Sequence, residues 1–488
     1  MRGSSSTARS AAPAPTGTWT IRLWGLLFVL AGNMLIDALE VSVVVVALPS
    51  ISADLGLSLA SAQWTMTGFA VGFGGLMLFG GRVVALLGRR KVYLAALVGF
   101  AAASVAGALA DGPGPLVATR VVKGFCAALT APTGLAIITT EFPAGPPRDR
   151  ALSVYTLFGA AGFTTGLLLS GVLTAVDWRL TFAFPAPVVL VLFFFGLRLI
   201  PGSGPDTAGE RPRGGPRRYD AAGAATCVAG LLTLVGGIVS VPSHGWGDLH
   251  SGGLLVLSAL LFAAFVRIEL RVPEPLVRFS AFRSGALTRS ALGAAALNGS
   301  YLGLLLTLTY EMQTVHGWSP LRTALAFLPA AAPLAVTALL SGRIVSAFGA
   351  PRLIAGGALF ALAGYLLQLR QSWPLHYASA VLPTMLLVGA GFVLSFAALN
   401  MQATSQLPPA ERGVASGLYQ TAVQAAAALV PAVVAALLTA CRPAAGASPA
   451  ELLAACRPAL VLVAAIGALG LLIGLAGALP RRDRLHEV

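Results

Sequence analysis

Four charged side chains lie inside stretches of the sequence that are otherwise apolar, and they come in two pairs. Asp37 and Glu40 are three positions apart in MLIDALEVSVVVVALP, and Arg120 and Lys123 are three positions apart in LVATRVVKG. Residues three apart share one face of a helix. An acid near the centre of a membrane helix costs about 2.5–3.5 kcal/mol on the insertion scale, so each acid needs water or a partner of opposite charge.

The two pairs are expected to meet at matching depths in the membrane. If the helix with the acids runs outward and the helix with the bases runs inward, Glu40 and Arg120 both lie about 7–9 Å beyond the midplane. Asp37 and Lys123 then both lie about 3–4 Å beyond it. We therefore predict two ion pairs between these helices, Glu40 with Arg120 and Asp37 with Lys123.

The chemistry that such pairs allow is reversible protonation. Burial disfavours the charged form of a carboxyl group, and a nearby cation favours it. A carboxyl group whose partner and water access change between two conformations can therefore take a proton on one side of a membrane and release it on the other. The pattern favours proton coupling by all four residues. Two alternatives stay open: a static bridge that pins the two helices together, and a Lys123 that neutralises an anionic substrate.

The composition is typical of a membrane protein with many spans. Of 488 residues, 57% are hydrophobic and 10% are charged, and the mean hydropathy is +0.83, which is too apolar for a soluble chain of this length. The formal net charge of +14 does not indicate nucleic acid binding, because the basic residues lie between apolar segments rather than on one face of a soluble domain. The partners that we expect are a small-molecule substrate, protons and membrane lipid.

About fourteen segments reach the length of about 20 apolar residues that crosses a hydrocarbon core. They are 22–48, 61–82, 92–110, 115–138, 151–175, 180–199, 221–241, 252–270, 290–313, 323–342, 353–370, 377–404, 414–439 and 458–479. Lys and Arg concentrate in the loops and tails that are cytoplasmic if the N-terminus is inside, which predicts that both termini are cytoplasmic. The predicted fold class is therefore an all-α membrane protein.

Two hydrophilic stretches, PGSGPDTAGERPRGGPRR and RVPEPLVRFSAFRSGALTR, divide the segments into groups of six, two and six. The predicted units are a disordered tail (1–21), a six-helix bundle (22–200), a linker (201–219), two inserted helices (220–270), a second linker (271–289), a second six-helix bundle (290–479) and a tail (480–488). The stretches GRVVALLG (81–88) and GRIVSAFG (342–349) are similar to each other. Internal repeats of this kind are typical of transporters whose substrate site lies between the two halves.

Six motifs are spread along the chain: ALEVSVVVVALPSI, GGRVVALLGRRKV, LVATRVVKG, GFTTGLLLSG, GWSPLRTALAFLP and GVASGLYQTAVQ. Together they resemble the fourteen-helix drug/proton antiporter branch of the major facilitator superfamily, and the resemblance covers nearly the whole chain. It implies a major facilitator fold in a bacterial cytoplasmic membrane. It also implies export of a hydrophobic or amphipathic small molecule, a drug or a natural product, by alternating access in exchange for protons and without a cofactor.

The resemblance implies roles for individual residues as well. Glu40 occupies the family's acidic position in the first helix, which favours it as the coupling residue. The implied inner gate consists of Gly81, Arg82, Gly88, Arg89 and Arg90, and the implied gate in helix five consists of Gly162, Gly166 and Gly171. The spacing of Gly162 and Gly166 also allows two helices to pack closely, so for this helix we predict packing and leave gating open.

The chain departs from the family's pattern at several of these motifs, and two departures concern the gates. Ala85 stands where the inner loop normally carries an acid, and Leu167 stands where helix five normally carries a proline. Because Ala85 removes a charge pair from the inner gate, we expect a weaker inward-closed state. These departures keep alternatives open: a uniporter or a lipid or metabolite carrier of the same fold, and, from a different class, a membrane sensor or scaffold that transports nothing.

Polar residues in the second half are candidates for contacts with the substrate. They are Glu311, Asn298, Tyr301, Asn400, Tyr419 and Gln420, with Gln402 and Gln424 nearby. For Glu311 the alternative is a snorkelling residue at the membrane interface. For the others the alternative is hydrogen bonding between helices.

Other chemistry is not indicated by the sequence. There is no GxxxxGK[ST] loop for direct use of ATP, and no HExxH or Ser/His/Asp set, so neither an enzyme nor a metal site is expected. Cys441 and Cys456 both fall in the last outer loop, CRPAAGASPAELLAAC. A disulfide and two free thiols are equally expected there.

Overall fold

The structure is a computed structural model. The chain is helical over most of the residues that the structure describes. The described residues are 19–202, 220–273, 275–277, 284–337, 339–371, 376–408, 411–443 and 446–478. The two predicted tails, most of the linker 201–219 and part of the linker 271–289 lie outside them.

The helices follow one another with short connections. In chain order they are α1 (Ile21–Asp54), α2 (Leu59–Ala62), α3 (Trp64–Leu87), α4 (Arg89–Ala108), α5 (Pro113–Glu141), α6 (Pro146–Thr174), α7 (Arg179–Ala183), α8 (Pro185–Leu199), α9 (Ala221–His244), α10 (Leu249–Glu269), α11 (Gly285–Tyr310), α12 (Pro320–Thr337), α13 (Ser341–Phe348), α14 (Ala350–Leu369), α15 (Val381–Ser405), α16 (Arg412–Ala440) and α17 (Pro449–Ala478). A π-helical turn, Glu311–Val315, continues α11.

Fourteen spans in the described part of the chain are long and apolar enough to cross a membrane, as the sequence predicts. Several predicted boundaries were wrong: the first span ends at Asp54 and not at 48, the tenth ends at Thr337 and not at 342, and the last begins at Pro449 and not at 458. Residues Ser341–Phe348 form the separate helix α13, in which Val345 is buried while Arg343 and Ser346 are exposed. This two-sided pattern suits a helix that lies along a surface rather than one that crosses a membrane.

The helices group into two bundles joined by the pair α9–α10. In the first bundle α1 packs on α6, and α5 packs on α3 and α4. In the second bundle α14 packs on α15 and α17, and α11 packs on α16 and α17. Because the number of spans is even, the chain begins and ends at the same face. We call it the start face and the opposite one the far face, and the assignment of the start face to the cytoplasm stays a prediction.

The internal repeat has the same backbone in both copies. Gly88 separates α3 from α4 with φ 89° and ψ 142°, and Gly349 separates α13 from α14 with φ 80° and ψ 136°. Positive φ angles favour glycine, so the last residue of each eight-residue motif is where one helix must end and the next begin.

The two bundles are joined at the far face. There Gln313 Nε2 donates a hydrogen bond to the carbonyl oxygen of Val46 on α1, at 3.0 Å. The far face is closed by this contact between the bundles. At the start face, no described atom lies within 4 Å of the place where a Cβ on Gly81 or Gly342 would lie.

The inserted helices cover the seam between the bundles, because α9 contacts both α3 and α16. The contact is close: a Cβ on Gly75 of α3 would lie 2.9 Å from Val228 Cγ2 of α9. The pair α9–α10 therefore belongs to neither bundle alone.

The tightest packing in the first bundle is between α3 and α5. A Cβ on Gly72 would collide with the Val121 carbonyl group, and a Cβ on Gly124 would collide with the Phe69 carbonyl group. The two glycines face each other's helices, so α3 and α5 touch backbone to backbone.

We predict that Gly124→Ala lowers the thermal unfolding temperature of the purified protein. The added methyl group has no space, and overpacking of this kind costs about 1–3 kcal/mol. The measurement is thermal unfolding in detergent, with Gly253→Ala as the control, because Gly253 lies in α10 with no atom within 4 Å of a Cβ. Equal melting temperatures for the two variants would contradict the backbone contact.

Candidate functional site

The four predicted charges lie on α1 and α5, and all are buried in the first bundle. The exposed fraction is 0% for Glu40 and Lys123, 1% for Arg120 and 2% for Asp37. Since α1 contacts α3, α5 and α6, protein rather than lipid encloses these groups. Charged groups at this depth are rare in membrane helices, and they require partners.

Glu40 receives both cations. Arg120 Nη1 pairs with Glu40 Oε2, and Arg120 Nη2 donates to the Glu40 carbonyl oxygen at 2.8 Å. Lys123 Nζ lies 2.5 Å from Glu40 Oε1. Arg120 Nε donates to the carbonyl oxygen of Thr65 on α3, at 2.8 Å. One carboxylate with its two bases therefore ties α1, α3 and α5 together.

Aromatic rings cover the two cations. The guanidinium carbon of Arg120 lies 4.8 Å from the ring centroid of Phe69 and 5.9 Å from that of Phe182. Lys123 Nζ lies 4.9 Å from the centroid of Phe100 and 5.9 Å from that of Phe182. Cation–π contacts contribute about 0.5–2 kcal/mol each, and they offset part of the repulsion between two bases that share one carboxylate.

Asp37 does not pair with Lys123, and that prediction was wrong. Asp37 Oδ2 accepts hydrogen bonds from Asn33 Nδ2 on α1 and from Thr130 Oγ1 on α5, at 2.9 Å each. Side chains on an α-helix lean toward its N-terminus. On these antiparallel helices the bases of α5 therefore lean toward the far face, to Glu40, while Asp37 leans toward the start face, to Thr130.

The sequence held a signal for only one of these two partners. Asn33 precedes Asp37 by four residues, and residues four apart are neighbours on a helix surface. Thr130 comes from a different helix, seven residues beyond Lys123, so the tertiary packing alone brings it to Asp37.

The glycines of α6 pack on the stretch of α1 that carries the acids. A Cβ on Gly162 would collide with the Leu35 carbonyl group, and a Cβ on Gly166 would lie 2.7 Å from the Leu39 carbonyl oxygen. These glycines make the close contact that the sequence predicts, and their gating role stays a prediction. The helix runs unbroken through Leu167.

The same helix also reaches the second bundle. Thr164 Oγ1 donates to the Ala331 carbonyl oxygen of α12 at 2.9 Å. A Cβ on Gly171 would lie 3.0 Å from Leu321 Cα at the start of α12. One helix thus contacts both the acid-bearing α1 and the opposite half of the molecule.

The predicted inner-gate arginines lie at the start face. Arg82 Nη2 donates to the Pro275 carbonyl oxygen, in the segment after α10, at 2.7 Å. Arg90 Nη2 donates to the Leu197 carbonyl oxygen near the end of α8 at 2.6 Å, and Arg89 is exposed. Closure of the start face by these residues and by Gly81 and Gly88 stays a prediction.

The predicted substrate residues lie in different surroundings. Asn298 Nδ2 on α11 donates to the Val423 carbonyl oxygen on α16 at 3.3 Å. For Asn298 the structure therefore shows the alternative prediction, a hydrogen bond between helices. Asn400 is exposed, Gln420 is half-buried and Tyr419 is buried.

Glu311 lies in the interior of the second bundle. Its exposed fraction is 0%, so the alternative of a snorkelling residue at the interface is wrong. Gln368 Nε2 on α14 donates to Glu311 Oε2 at 3.2 Å. Sequence reasoning missed Gln368, which stands 57 positions further along the chain.

Tyr301 belongs to an aromatic row that the sequence did not predict. The row is Phe163, Tyr301, Phe392 and Phe396, with successive ring centroids 5.7, 5.0 and 5.2 Å apart. Phe163 belongs to α6 in the first bundle and the other three to the second, so the row crosses between the halves. Phe163 and Phe396 at its two ends are half-buried, and aromatic walls of this kind suit apolar ligands.

Cys441 and Cys456 are free thiols in the structure. Cys456 is buried within α17, and its thiol lies 3.5 Å from the Leu452 carbonyl oxygen one turn earlier. The structure therefore shows two free thiols rather than a disulfide between these residues. The described residues also hold no group of three or more His, Cys, Asp or Glu that could bind a metal ion.

The chain is similar to known proteins over most of its length. The family model described as Major Facilitator Superfamily matches residues 30–431. The puromycin resistance protein pur8 of Streptomyces alboniger is 36% identical over 412 residues, which are 84% of this chain and 80% of that protein. The cephamycin export protein CmcT of Amycolatopsis lactamdurans is 33% identical over 468 residues, 95% of this chain and 93% of that protein. The tetracenomycin C resistance and export protein of Streptomyces glaucescens is 30% identical, covering 86% and 76%.

Solved structures share the fold. The nucleoside transporter NupG superposes with a TM-score of 0.64 at 13% identity, over 94% of this chain and 100% of that one. The human organic anion transporter MFSD10 gives a TM-score of 0.61 at 16% identity, over 93% and 100%.

We predict that Lys123 is energetically coupled to Glu40 and not to Asp37. Glu40→Gln leaves two buried cations without a counter-charge and should lower the free energy of unfolding by about 3–5 kcal/mol. The double variant Glu40→Gln/Lys123→Met should be less unstable than the sum of its single changes, because it removes one of those cations.

The comparison is a pair of double-mutant cycles measured by unfolding in detergent. The effects of Asp37→Asn and Lys123→Met should add to within about 0.5 kcal/mol. Stronger coupling of Lys123 to Asp37 than to Glu40 would restore the pairing that the sequence predicts and would contradict the structure.

Proposed function

The chain belongs to the Major Facilitator Superfamily, and from this we propose that it exports a hydrophobic or amphipathic small molecule, a drug or a natural product, in exchange for protons. The names of three similar proteins refer to resistance to or export of puromycin, cephamycin and tetracenomycin C. Membership of this family supports a membrane transporter rather than an enzyme.

The observation that carries the proposal is the position of Glu40 between two buried cations. While Arg120 and Lys123 both contact it, Glu40 is stable as a carboxylate without a proton. If both bases move away, burial without a partner disfavours the charged form of a carboxyl group. A movement that separates α1 from α5 would therefore couple this site to a proton.

The contacts of α6 supply a route for that shift. The helix packs on α1 beside the acids through Gly162 and Gly166, and it packs on α12 through Thr164 and Gly171. A movement of the second bundle against the first passes through α6 to the helix that carries Glu40. Proton binding and the opening of the far face are thereby linked through one helix.

The aromatic row is the surface that we propose for the cargo. Its rings come from both bundles, so a molecule stacked on it contacts both halves at once. A ligand shifts a conformational equilibrium only by binding the two states with different affinity, and a contact shared by both halves changes whenever they move. Relative to the predicted set, this surface keeps Tyr301 and replaces the polar residues by Phe163, Phe392 and Phe396.

The setting that we propose is the cytoplasmic membrane of a bacterium, with the start face and both termini inside. The organisms of the similar proteins support the bacterial origin, and the distribution of Lys and Arg supports the orientation. The partners are then the cargo, protons and membrane lipid.

We predict that the wild-type protein releases protons when it binds cargo and that Glu40→Gln does not. The measurement is the pH of a weakly buffered solution of the purified protein in detergent on addition of puromycin, tetracenomycin C or a panel of lipophilic cations and neutral drugs. The control is Glu411→Gln, which removes the same type of acid from an exposed position before α16.

The result separates the competing functions. Proton release by Glu40→Gln equal to that of the wild type would remove this residue from the cycle. In sealed vesicles, a wild type that moves cargo down its gradient but never concentrates it under a pH gradient would indicate a uniporter. No movement of any cargo, with Asp37, Glu40, Arg120 and Lys123 all tolerant of neutral replacement, would indicate a sensor or scaffold.

We also predict that Phe396→Ala weakens the binding of a planar aromatic cargo such as ethidium by about 3–10-fold, since aromatic pairs contribute about 0.5–1.5 kcal/mol beyond their buried area. Binding is measured by fluorescence, with Phe360→Ala as the control, because Phe360 is 43% exposed on α14. An equal loss in both variants would exclude the aromatic row as the cargo surface.

A further inference from the structure

Glu311 is an acid with the burial of a core residue. It begins the π-helical turn Glu311–Val315, near the far face, and none of its side chain is exposed. A π-helical turn inside a membrane helix is rare and is found frequently at functional sites. Neither the charge cluster around Glu40 nor the aromatic row uses this residue.

The partner of Glu311 is neutral, and one oxygen of each residue lacks a hydrogen bond. Gln368 Nε2 donates to Glu311 Oε2 at 3.2 Å, and Gln368 is only 1% exposed. Glu311 Oε1 and Gln368 Oε1 are both buried without a hydrogen-bond partner. Two orphaned acceptors side by side in an apolar interior are unfavourable, and each of them could be satisfied by one hydrogen atom placed between them.

Among the described residues around Glu311, no base forms an ion pair with its carboxylate; the nearest base along the chain is His316, which ends the turn. Elements α11, α12 and α17 pack on the turn, and α14 supplies Gln368. Their titratable or charged side chains toward the far face are Tyr310 on α11, Arg322 on α12, Tyr365 and Arg370 on α14, and Glu451, Cys456 and Arg457 on α17. The three arginines and Glu451 are exposed, and no ion pair between Glu311 and a base is present in the described residues.

A proton on Glu311 Oε1 supplies the missing hydrogen bond and removes the negative charge that has no partner. The protonated carboxyl group donates its O–H to Gln368 Oε1, while Gln368 Nε2–H continues to donate to Glu311 Oε2. The acid and the amide then exchange two hydrogen bonds, and neither carries a net charge. An ionised Glu311 would instead keep a buried negative charge beside a second acceptor, which is strongly unfavourable.

The same helical turn takes part in closing the far face. Gln313, two residues after Glu311, donates to the Val46 carbonyl oxygen of α1 in the first bundle. The turn is held by a hydrogen bond from His316 N to the Glu311 carbonyl oxygen at 3.1 Å. Opening of the far face must break the contact between Gln313 and Val46, and it frees the segment that carries Glu311.

We propose that Glu311 and Gln368 form a second proton-binding site, in the second bundle, which holds a proton while the far face is closed and exchanges it when that face opens. The bound species is a single proton on Glu311 Oε1, hydrogen-bonded to Gln368 Oε1. Its use in transport rests on the antiport proposed above, whereas its presence in the closed structure does not.

The presence of the proton is tested by infrared spectroscopy of the purified protein at neutral pH. A protonated carboxyl group has a C=O stretching band, sensitive to D₂O, that a carboxylate lacks. We expect this band in the wild type, its loss in Glu311→Gln and its retention in Glu411→Gln. Gln368→Leu should keep the band and shift it to higher frequency, because the hydrogen bond from the amide is lost. Asp37→Asn and Glu269→Gln separate the contributions of two other buried acids, since Asp37 has neutral donors and Glu269 lies beside Asp220.

A spectrum of Glu311→Gln that superimposes on that of the wild type would overturn the proposal, because Glu311 would then be ionised. If Glu311→Gln does not fold, the Gln368→Leu spectrum decides alone, and an unshifted band there gives the same negative answer.

The role in transport has a separate measurement. Glu311→Gln should lower the number of protons released per bound cargo molecule relative to the wild type, whereas an unchanged number would remove Glu311 from the cycle. A wild type that releases no protons at all would contradict the antiport of the preceding subsection, and the infrared result would still decide whether Glu311 holds a proton.

Discussion

The structure depends on how a carboxyl group is kept in the interior of a membrane protein. Glu40 is stable there only because Arg120 and Lys123 approach it from α5, and Arg120 in turn is held by the backbone of α3. The desolvation of three charged groups is costly, and removal of one partner leaves the others uncompensated. The close packing of α3 on α5 and of α6 on α1 is what brings these groups within reach of one another. The glycines of this bundle therefore allow both the close packing of the helices and the contacts between the charged groups.

The two halves keep their buried acids in different ways. In the first bundle Glu40 is matched by opposite charge, so its state responds to the positions of two bases. In the second bundle Glu311 accepts a hydrogen bond from the neutral amide of Gln368, and no described base pairs with it, so its state responds to the access of water. Asp37 lies between these cases, with Asn33 and Thr130 as neutral donors. One conformational change would therefore act on these acids in two ways: it would move the bases beside Glu40, and it would change the access of water to Glu311.

The spans were predictable from the sequence because they depend only on the length and apolarity of single segments, and the family was predictable because its motifs are local. The pairing of Asp37 with Lys123 was not, since matching by depth ignores the lean of side chains along antiparallel helices. The meeting of Phe163 with Tyr301, 138 positions later in the sequence, depends on how the two bundles dock, and no periodicity encodes it. The same is true of Gln368, which looks like any polar residue near the end of a helix.

The contacts between the halves also limit how they can move. At the far face the halves meet where Gly171 of α6 packs on Leu321 of α12, and where Gln313 donates a hydrogen bond to the Val46 carbonyl oxygen of α1. Along the seam α3 and α16 stay in contact, with Thr421 Oγ1 bonded to the Gly74 carbonyl oxygen at 3.1 Å, and α9 lies on both helices. Contacts between the halves therefore run along two helix pairs, α6 with α12 and α3 with α16. The inserted helices cover the second pair, because α9 packs on both α3 and α16, so any movement between the halves must accommodate them there.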